Sequence, residues 1–259
     1  MVSIYSYSQE KGGAAKMKKE KISVIIPMYN EKNIKSNLRE VLKVLDKNLA
    51  GYAFEVIVVD DGSRVDCISE ARRVKSRKIR VIGYKKNMGK GHALKHGFQF
   101  CGGDYIAFMD ADLELPPYQL RNFIEEMKKS KADIIIGSKR FKESQVYYPL
   151  TRRLMSWTFQ MITRILFGLN VRDTQVGMKL FRHEVLKRVL PKMLVKRYAF
   201  DVELLVLAHK LGYKIGEIPI RLDFKFSSGI KKRDIINMVI DVAAIFYRLR
   251  ILKYYDKKT

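Results

Sequence analysis

The residues best placed to do chemistry are Asp110, Asp112 and Glu114, in the run Phe108-Met109-Asp110-Ala111-Asp112-Leu113-Glu114. Two carboxylates one residue apart, with a third two further on, suit a hard divalent cation. Mg²⁺ and Mn²⁺ take oxygen ligands, are held by one or two carboxylates, and fill their other positions with water and substrate phosphates. An isolated Asp-x-Asp is more often an acidic turn or a helix cap, so the weight falls on what accompanies it. Asp60 and Asp61 form a second acidic pair that can accept hydrogen bonds from the base or ribose of a nucleotide. In Asn87-Met88-Gly89-Lys90-Gly91 the glycines allow close backbone approach to a phosphate and Lys90 adds a point charge. His92 and His96 are four apart on an expected helix, but with no carboxylate in the same motif they read as surface or packing residues.

These groups need elements that deliver them to one place. Ile22 to Pro27, Phe54 to Val59, about Arg80 to Gly83, Tyr105 to Met109 and Asp133 to Gly137 are short apolar runs that read as buried strands. Between them lie expected helices over Asn33–Asn48, Cys67–Lys75, the stretch from Lys90 to about Cys101, and Pro117–Ser130. Strands alternating with helices of this length mean crossover connections and a mostly parallel sheet. Four of the strands end in polar or glycine-rich loops, and ligands of open α/β sheets bind at those ends. No Gly-x-Gly-x-x-Gly follows the first strand and no P-loop occurs, so neither a dinucleotide fingerprint nor a Walker site is supported.

After Gly137 the rhythm changes. Arg152 to Leu169 carries two apolar rows at helical spacing, Leu154/Trp157/Met161/Ile165 and Met155/Phe159/Ile162/Leu166/Leu169. A helix apolar over so much of its girth is either buried or lies in a membrane interface, and the flanking arginines and Trp157 favour the interface. Tyr147, Tyr148 and Trp157 line a lipid-facing groove or simply pack. Asp201 to Leu211 reads as a helix and Lys214 to Ile220 as a strand. The last helix, about Lys231 to Arg250, has a narrow polar stripe through Asp234, Asn237, Asp241 and Arg248; it suits an interface, or packing against the domain or another subunit.

The chain of 259 residues is 47% hydrophobic and 30% charged, as a globular protein is, with a formal net charge of +24. Such a charge seeks an anionic partner: nucleic acid, a phosphorylated substrate or an anionic membrane. Between Gly137 and Phe200 there are 14 Lys or Arg against 3 Asp or Glu, which puts the docking of something negative there. Nucleic acid is permitted by the charge but opposed by the carboxylate-rich strand ends. Only Cys67 and Cys101 are available, which excludes a disulfide framework and fits a reducing, cytoplasmic-side setting. No apolar run reaches the ~18 residues of a membrane span and the N-terminus has no signal-peptide core, so contact with a membrane is expected to be peripheral. Residues 1–20 read as a polar tail, with Met17 an alternative start. Residues 21–230 read as one domain whose rhythm changes at about 137, and residues 231–259 as an amphipathic helix and basic tail.

Four segments in this order, Ile25-Ile26-Pro27-Met28-Tyr29-Asn30-Glu31, Val59-Asp60-Asp61-Gly62-Ser63, Asn87-Met88-Gly89-Lys90-Gly91 and Met109-Asp110-Ala111-Asp112, resemble the nucleotide-sugar domain of family 2 glycosyltransferases. Asp173-Thr174-Gln175-Val176-Gly177-Met178-Lys179-Leu180-Phe181 and Tyr198-Ala199-Phe200-Asp201-Val202-Glu203 resemble dolichyl-phosphate glucose synthases and, more loosely, dolichyl-phosphate mannose synthases. The resemblance implies a GT-A-type α/β fold with C-terminal interface helices. It places Pro27, Tyr29, Glu31, Asp60, Asp61, Lys90 and Asp110 beside the nucleotide sugar, and Asp110, Asp112 and Glu114 around Mg²⁺ or Mn²⁺, with Asp112 the direct ligand. Many relatives have Gln where this chain has Glu114. Lys139 or Arg140, after Gly137-Ser138, would handle the acceptor phosphate together with Arg152 and Ser156, with Arg153 as the substitute one position on. Asp173, Gln175 and Asp201 would bind the sugar or orient the acceptor. The implied reaction is transfer of a hexose, with inversion, from UDP-glucose (or GDP-mannose) to a polyprenyl or dolichyl phosphate at a membrane surface. A polysaccharide or protein acceptor on the same fold is the alternative. Because a phosphate monoester is mostly a dianion near pH 7, with a second pKa of about 6, basic residues rather than a general base are expected to organise the nucleophile.

Overall fold

The computed structural model describes residues 19–144, 150–197, 199–223 and 232–256, the side chains of residues 150–156 and 232–234 excepted. Ile22, Val24, Ile25 and Ile26 are all buried, so β1 (Lys21–Met28) has apolar residues on both faces and sits inside the sheet. It pairs in parallel with β2 (Ala53–Asp61) on one side and β4 (Tyr105–Phe108) on the other. Beyond β2 lies β3 (Ile79–Tyr84), also parallel. The full order is β3-β2-β1-β4-β6-β5-β7, where β5 is Ile134–Ser138, β6 is Lys179–Arg182 and β7 is Ile215–Pro219.

The mostly parallel sheet is as expected from the strand–helix rhythm, with one addition. β6 runs antiparallel to both β4 and β5 and separates them. Sequence periodicity missed it because Lys-Leu-Phe-Arg is four residues long with a charge at each end, and the short helix α6 (His183–Val189) follows it directly. Strand alternation then sorts the core into two layers. Ile22, Val24 and Ile26 face α1 (Ile34–Asn48), α2 (Cys67–Arg72) and α4 (Leu120–Ser130). Ile25, Ile57 and Phe108 face α3 (Lys90–Phe98), α6 and α7 (Phe200–Lys210).

Helices α5 (Leu150–Phe167) and α8 (Lys232–Phe246) lie on this second layer, and α8 continues as a π-helical turn, Tyr247–Ile251. Each buries one side: Phe159 and Phe167 of α5, Val242 and Ile245 of α8. The other sides are apolar and exposed. Trp157 is 52% exposed and Ile165 74%, with Met161 and Ile162 beside them, while α8 presents Ile236, Val239 and Ile240. The two apolar rows read from the sequence of α5 are thus largely an inner and an outer row, with Ile162 shifted outward. Tyr147 and Tyr148 lie outside the described residues. Among the described residues no helix is long and apolar enough to cross a membrane.

Candidate active site

Parallel pairing brings the C-terminal ends of β1, β2, β3 and β4 to one edge, where Met28 is level with Asp60 and Asp61 with Tyr84. A cleft of about 490 Å³ opens there, lined among others by Pro27, Tyr29, Lys90, Asp110, Gln175 and Asp201. Asp61 is on its wall, but its carboxylate is already occupied. It accepts from Tyr84 Oη (2.7 Å), Asn87 Nδ2 (2.8 Å), Met88 N (2.8 Å) and Gly89 N (2.9 Å), and so holds the 87–89 loop in place. Burial, then Asp61, pushes the Tyr84 phenol well above its ordinary range. Asp60 accepts from Ser63 Oγ at 2.5 Å, and the same hydroxyl accepts from Asn30 N, which ties the loops after β1 and β2 together. Glu31 Oε1 accepts from Asn33 N at the start of α1. Neither Asp60 nor Glu31 lines the cleft itself.

Gly89 and Gly91 correct the sequence reading. Gly89, at φ +100, begins α3 against the loop 194–197: a Cβ there would come within 2.6 Å of Lys196 O and Arg197 Cγ. At Gly91 a Cβ would meet the Phe200 side chain at 2.6 Å, and the Gly91 amide donates to Lys196 O. These glycines make room for protein, not for a phosphate, although Gly89 still borders the cleft.

At the end of β4, Asp110 Oδ1 stands 2.5 Å from Lys90 Nζ. Burial opposes the Lys90 charge, but Asp110 and Asp201 outweigh it and hold the ammonium above the ordinary lysine range; Lys90 in turn holds the Asp110 carboxyl below the usual carboxylate range. Asp110, expected beside the metal, is thus also the ion-pair partner of Lys90. Asp112 differs. Burial, then the neighbouring Asp110 carboxylate, with a smaller contribution from Glu114, push its carboxyl up to about 6, and its Oδ1 accepts from Glu114 N in a tight turn around Leu113. Among the described residues no three acidic, His or Cys side chains form a preassembled cage. Asp112 with Glu114 nevertheless fits the needs of Mg²⁺ or Mn²⁺, which complete their shells with water and phosphate.

Behind these groups is a cation that sequence reasoning missed. Lys179, on β6, is 1% exposed at its side chain and places Nζ 2.5 Å from Asp201 Oδ1 and 2.5 Å from Val176 O. Burial lowers its pKa, and Asp201 only partly restores it. The side chains couple in a closed alternation, Lys90 with Asp110 and Asp201, Lys179 with Asp201 and Asp110. A lysine flanked by Met178 and Leu180 in a buried stretch was the available signal. Gly177 completes the clasp, since a Cβ there would collide with the Asp110 carboxylate.

The residues expected on the acceptor side converge more loosely. Lys139 Nζ is 3.6 Å from Asp173 Oδ2, and Gln175 N donates to Asp173 Oδ1 at 3.1 Å. Asp173 Oδ2 and Thr174 Oγ1 are buried with no hydrogen-bond partner among the described residues. Arg140 follows buried Ser138, whose Oγ accepts from Arg140 N at 3.4 Å. Arg152, Arg153 and Ser156 are all on α5, with side chains outside the described set. Arg197 and Phe200, which the sequence did not single out, line the cleft. His92 and His96 pack edge-on against Tyr84 at 5.2 and 5.5 Å, as packing residues do.

Comparison with known proteins follows the same line. The sequence pattern of Glycosyl transferase family 2 matches residues 23–190. The dolichyl-phosphate beta-glucosyltransferase of Dictyostelium discoideum is 31% identical over 240 residues, spanning 84% of this chain and 73% of its own. The glycosyltransferase AglD of Haloferax volcanii is 26% identical over 234 residues, spanning 89% of this chain and 38% of its own. Among solved structures, glucosyl-3-phosphoglycerate synthase from Mycobacterium tuberculosis with bound UDP superposes at a TM-score of 0.65 and 20% identity, covering 88% of this chain and 79% of that one. The same enzyme with Mn²⁺, UDP and its product superposes at 0.64.

Proposed function

The chain belongs to Glycosyl transferase family 2 and has its GT-A-type fold, and from that premise we propose that it transfers glucose from UDP-glucose to a polyprenyl or dolichyl phosphate at a membrane surface. The observation that carries the acceptor class is where the cleft opens. Gln175 lines it, and Gln175 Nε2 lies 3.1 Å from Met238 Sδ on α8, the helix whose other side presents Ile236, Val239 and Ile240. A lipid lying along that apolar surface would bring its phosphate to this cleft, where the charge of Lys139 is felt at Asp110. The name of the Dictyostelium relative supports the same acceptor and sugar.

In this reading Pro27, Tyr29, Asp61 and Lys90 border the donor, while Asp60 and Glu31 brace the loops that do so. Asp112 and Glu114 hold Mg²⁺ or Mn²⁺, which when bound neutralises charge on the departing diphosphate. Lys139, Arg140, Arg152 and Ser156 receive the acceptor phosphate. A guanidinium can fork two hydrogen bonds onto it and reduce its repulsion from the donor. Asp173 and Gln175 face the sugar or acceptor. Asp201, tied to Lys179, orients the cleft wall and takes no proton, because the acceptor is already ionised near neutral pH. Attack on the face opposite the diphosphate inverts the anomeric centre. The enzyme works peripherally, on the cytoplasmic side, without nucleic acid.

The test is transfer of radiolabel into an organic-extractable product, with UDP-glucose and GDP-mannose offered separately to polyprenyl phosphate in vesicles, with and without Mg²⁺ or Mn²⁺. Metal-dependent labelling from UDP-glucose is the expected result. Labelling only from GDP-mannose would change the donor. Nucleotide-sugar binding without lipid labelling would move the acceptor to a polysaccharide or protein.

A further inference from the structure

Glu203 lies wholly buried in the first turn of α7 and does not line the cleft, yet its carboxylate is divided between two parts of the molecule. Oε2 accepts the backbone amides of Leu194 (3.0 Å) and Val195 (2.7 Å). Oε1 accepts from Tyr255 Oη at 2.5 Å, with Arg248 Nη2 at 3.5 Å; Arg248 Nε also donates to Tyr255 Oη at 2.9 Å. Tyr255 and Arg248 follow α8, and Lys210 holds the same tail through Asp256 at 2.6 Å. Asp241 of α8 adds a bond from the Ala199 amide.

The loop that Glu203 grips is a wall of the cleft. Lys196 O accepts the amides of Gly91 (2.9 Å) and His92 (3.3 Å) in the first turn of α3, and Arg197 packs over Gly89 and lines the cleft. Without Glu203 the amides at 194 and 195 would lose the acceptor that ties them to α7.

We propose that Glu203, held by Arg248 and Tyr255, is a positioning residue for the donor site: it fixes the loop 194–197 against the start of α3, so that the C-terminal segment sets donor affinity. The proposal rests on reading the cleft as the donor site. It joins the segment that follows the apolar-faced α8 to the pocket through one carboxylate, and it gives Glu203, in the segment Tyr198–Glu203 that resembles known transferases, a role distinct from that of Asp201.

Tyr255→Phe removes one donor and leaves the packing in place, and Glu203→Gln replaces one acceptor oxygen by an amide that cannot accept. Amide hydrogen exchange is followed in both full-length variants at Leu194, Val195, Gly91 and His92, beside binding of UDP and GDP and the KM values for donor and polyprenyl phosphate. Exchange at those four amides should accelerate while β1 and β2 stay protected. Affinity for the nucleotide that the wild type binds should fall about tenfold, the scale of one charge-assisted hydrogen bond, and donor KM should rise with acceptor KM unchanged. A purely structural loss would lower the melting temperature without separating the two KM values. Unchanged exchange at the four amides in Glu203→Gln overturns the proposal, as does faster exchange with donor affinity intact. If the wild type binds neither nucleotide, the donor-site reading fails on its own, and the exchange result still decides whether Glu203 couples the tail to the loop.

Discussion

The two walls of the cleft use their polar groups in opposite ways. On the side proposed for the donor Asp61 accepts hydrogen bonds from four separate groups and Asp60 is bonded to Ser63, so the loops after β1, β2 and β3 form one preassembled surface. On the side proposed for the acceptor Asp173 Oδ2 and Thr174 Oγ1 are buried with no hydrogen bond among the described residues, Asp173 Oδ2 being held by an ion pair with Lys139 Nζ at 3.6 Å. A buried polar group left unpaired costs ~1–3 kcal/mol. The contrast teaches that the wall proposed for the donor is built by folding, whereas the wall proposed for the acceptor keeps hydrogen-bonding capacity that a ligand can satisfy. Between them lies the buried pairing of Lys179 with Asp201, next to Lys90 and Asp110, where β6 from the second half of the chain meets β4 from the first.

The strongest way to break this arrangement is at that seam. Lys179→Met leaves Asp201 buried without its cation and should destabilise the fold by about 3–5 kcal/mol, read as a shift of the urea midpoint at constant slope. Adding Asp201→Asn should recover part of the loss; no recovery would mean that Lys179 is held by something other than the pair. Next in size is Asp112→Ala, which should lower transfer by about 10²–10³-fold with little change in stability, and EDTA should do the same to the wild type. Equal activity with and without the chelator would remove the metal from the account.

Asp61→Asn sharpens the comparison directly. It replaces an acceptor by a donor in a network of donors and should cost about 1–3 kcal/mol together with weaker donor binding. Asp173→Asn should leave the urea midpoint almost unmoved and impair use of the acceptor. The smallest effect on the fold belongs to Ile165→Lys, on a side chain 74% exposed. Stability should stay within about 0.5 kcal/mol, and flotation with polyprenyl-phosphate vesicles should decrease. Undiminished flotation would place the membrane contact elsewhere than on α5.

The same contrast governs what could be read from the sequence. Strands β1, β2 and β4 are continuous apolar runs that end in short polar motifs, so both the sheet and the position of Asp61, Lys90 and Asp110 at its edge were legible. β6 was not, because four residues with charged ends carry no usable period, and with it went Lys179 and the antiparallel wedge. The glycines around Lys90 looked like a phosphate cradle, since a sequence does not show that Lys196 and Phe200 return from over a hundred residues away to fill that space. The pairing of Asp110 with Lys90 was hidden for the same reason: the two meet only through tertiary contact. Arg197, which lines the cleft, arrives on a loop between elements, where no periodicity marks it.

The measurement that tests the division most directly is a pair of KM values, one for nucleotide sugar and one for polyprenyl phosphate, determined for Asp61→Asn and Asp173→Asn side by side. The account predicts a raised donor KM in the first and a raised acceptor KM in the second, each with the other constant near wild type. Both variants raising the same KM would contradict it, because the two walls would then serve one substrate.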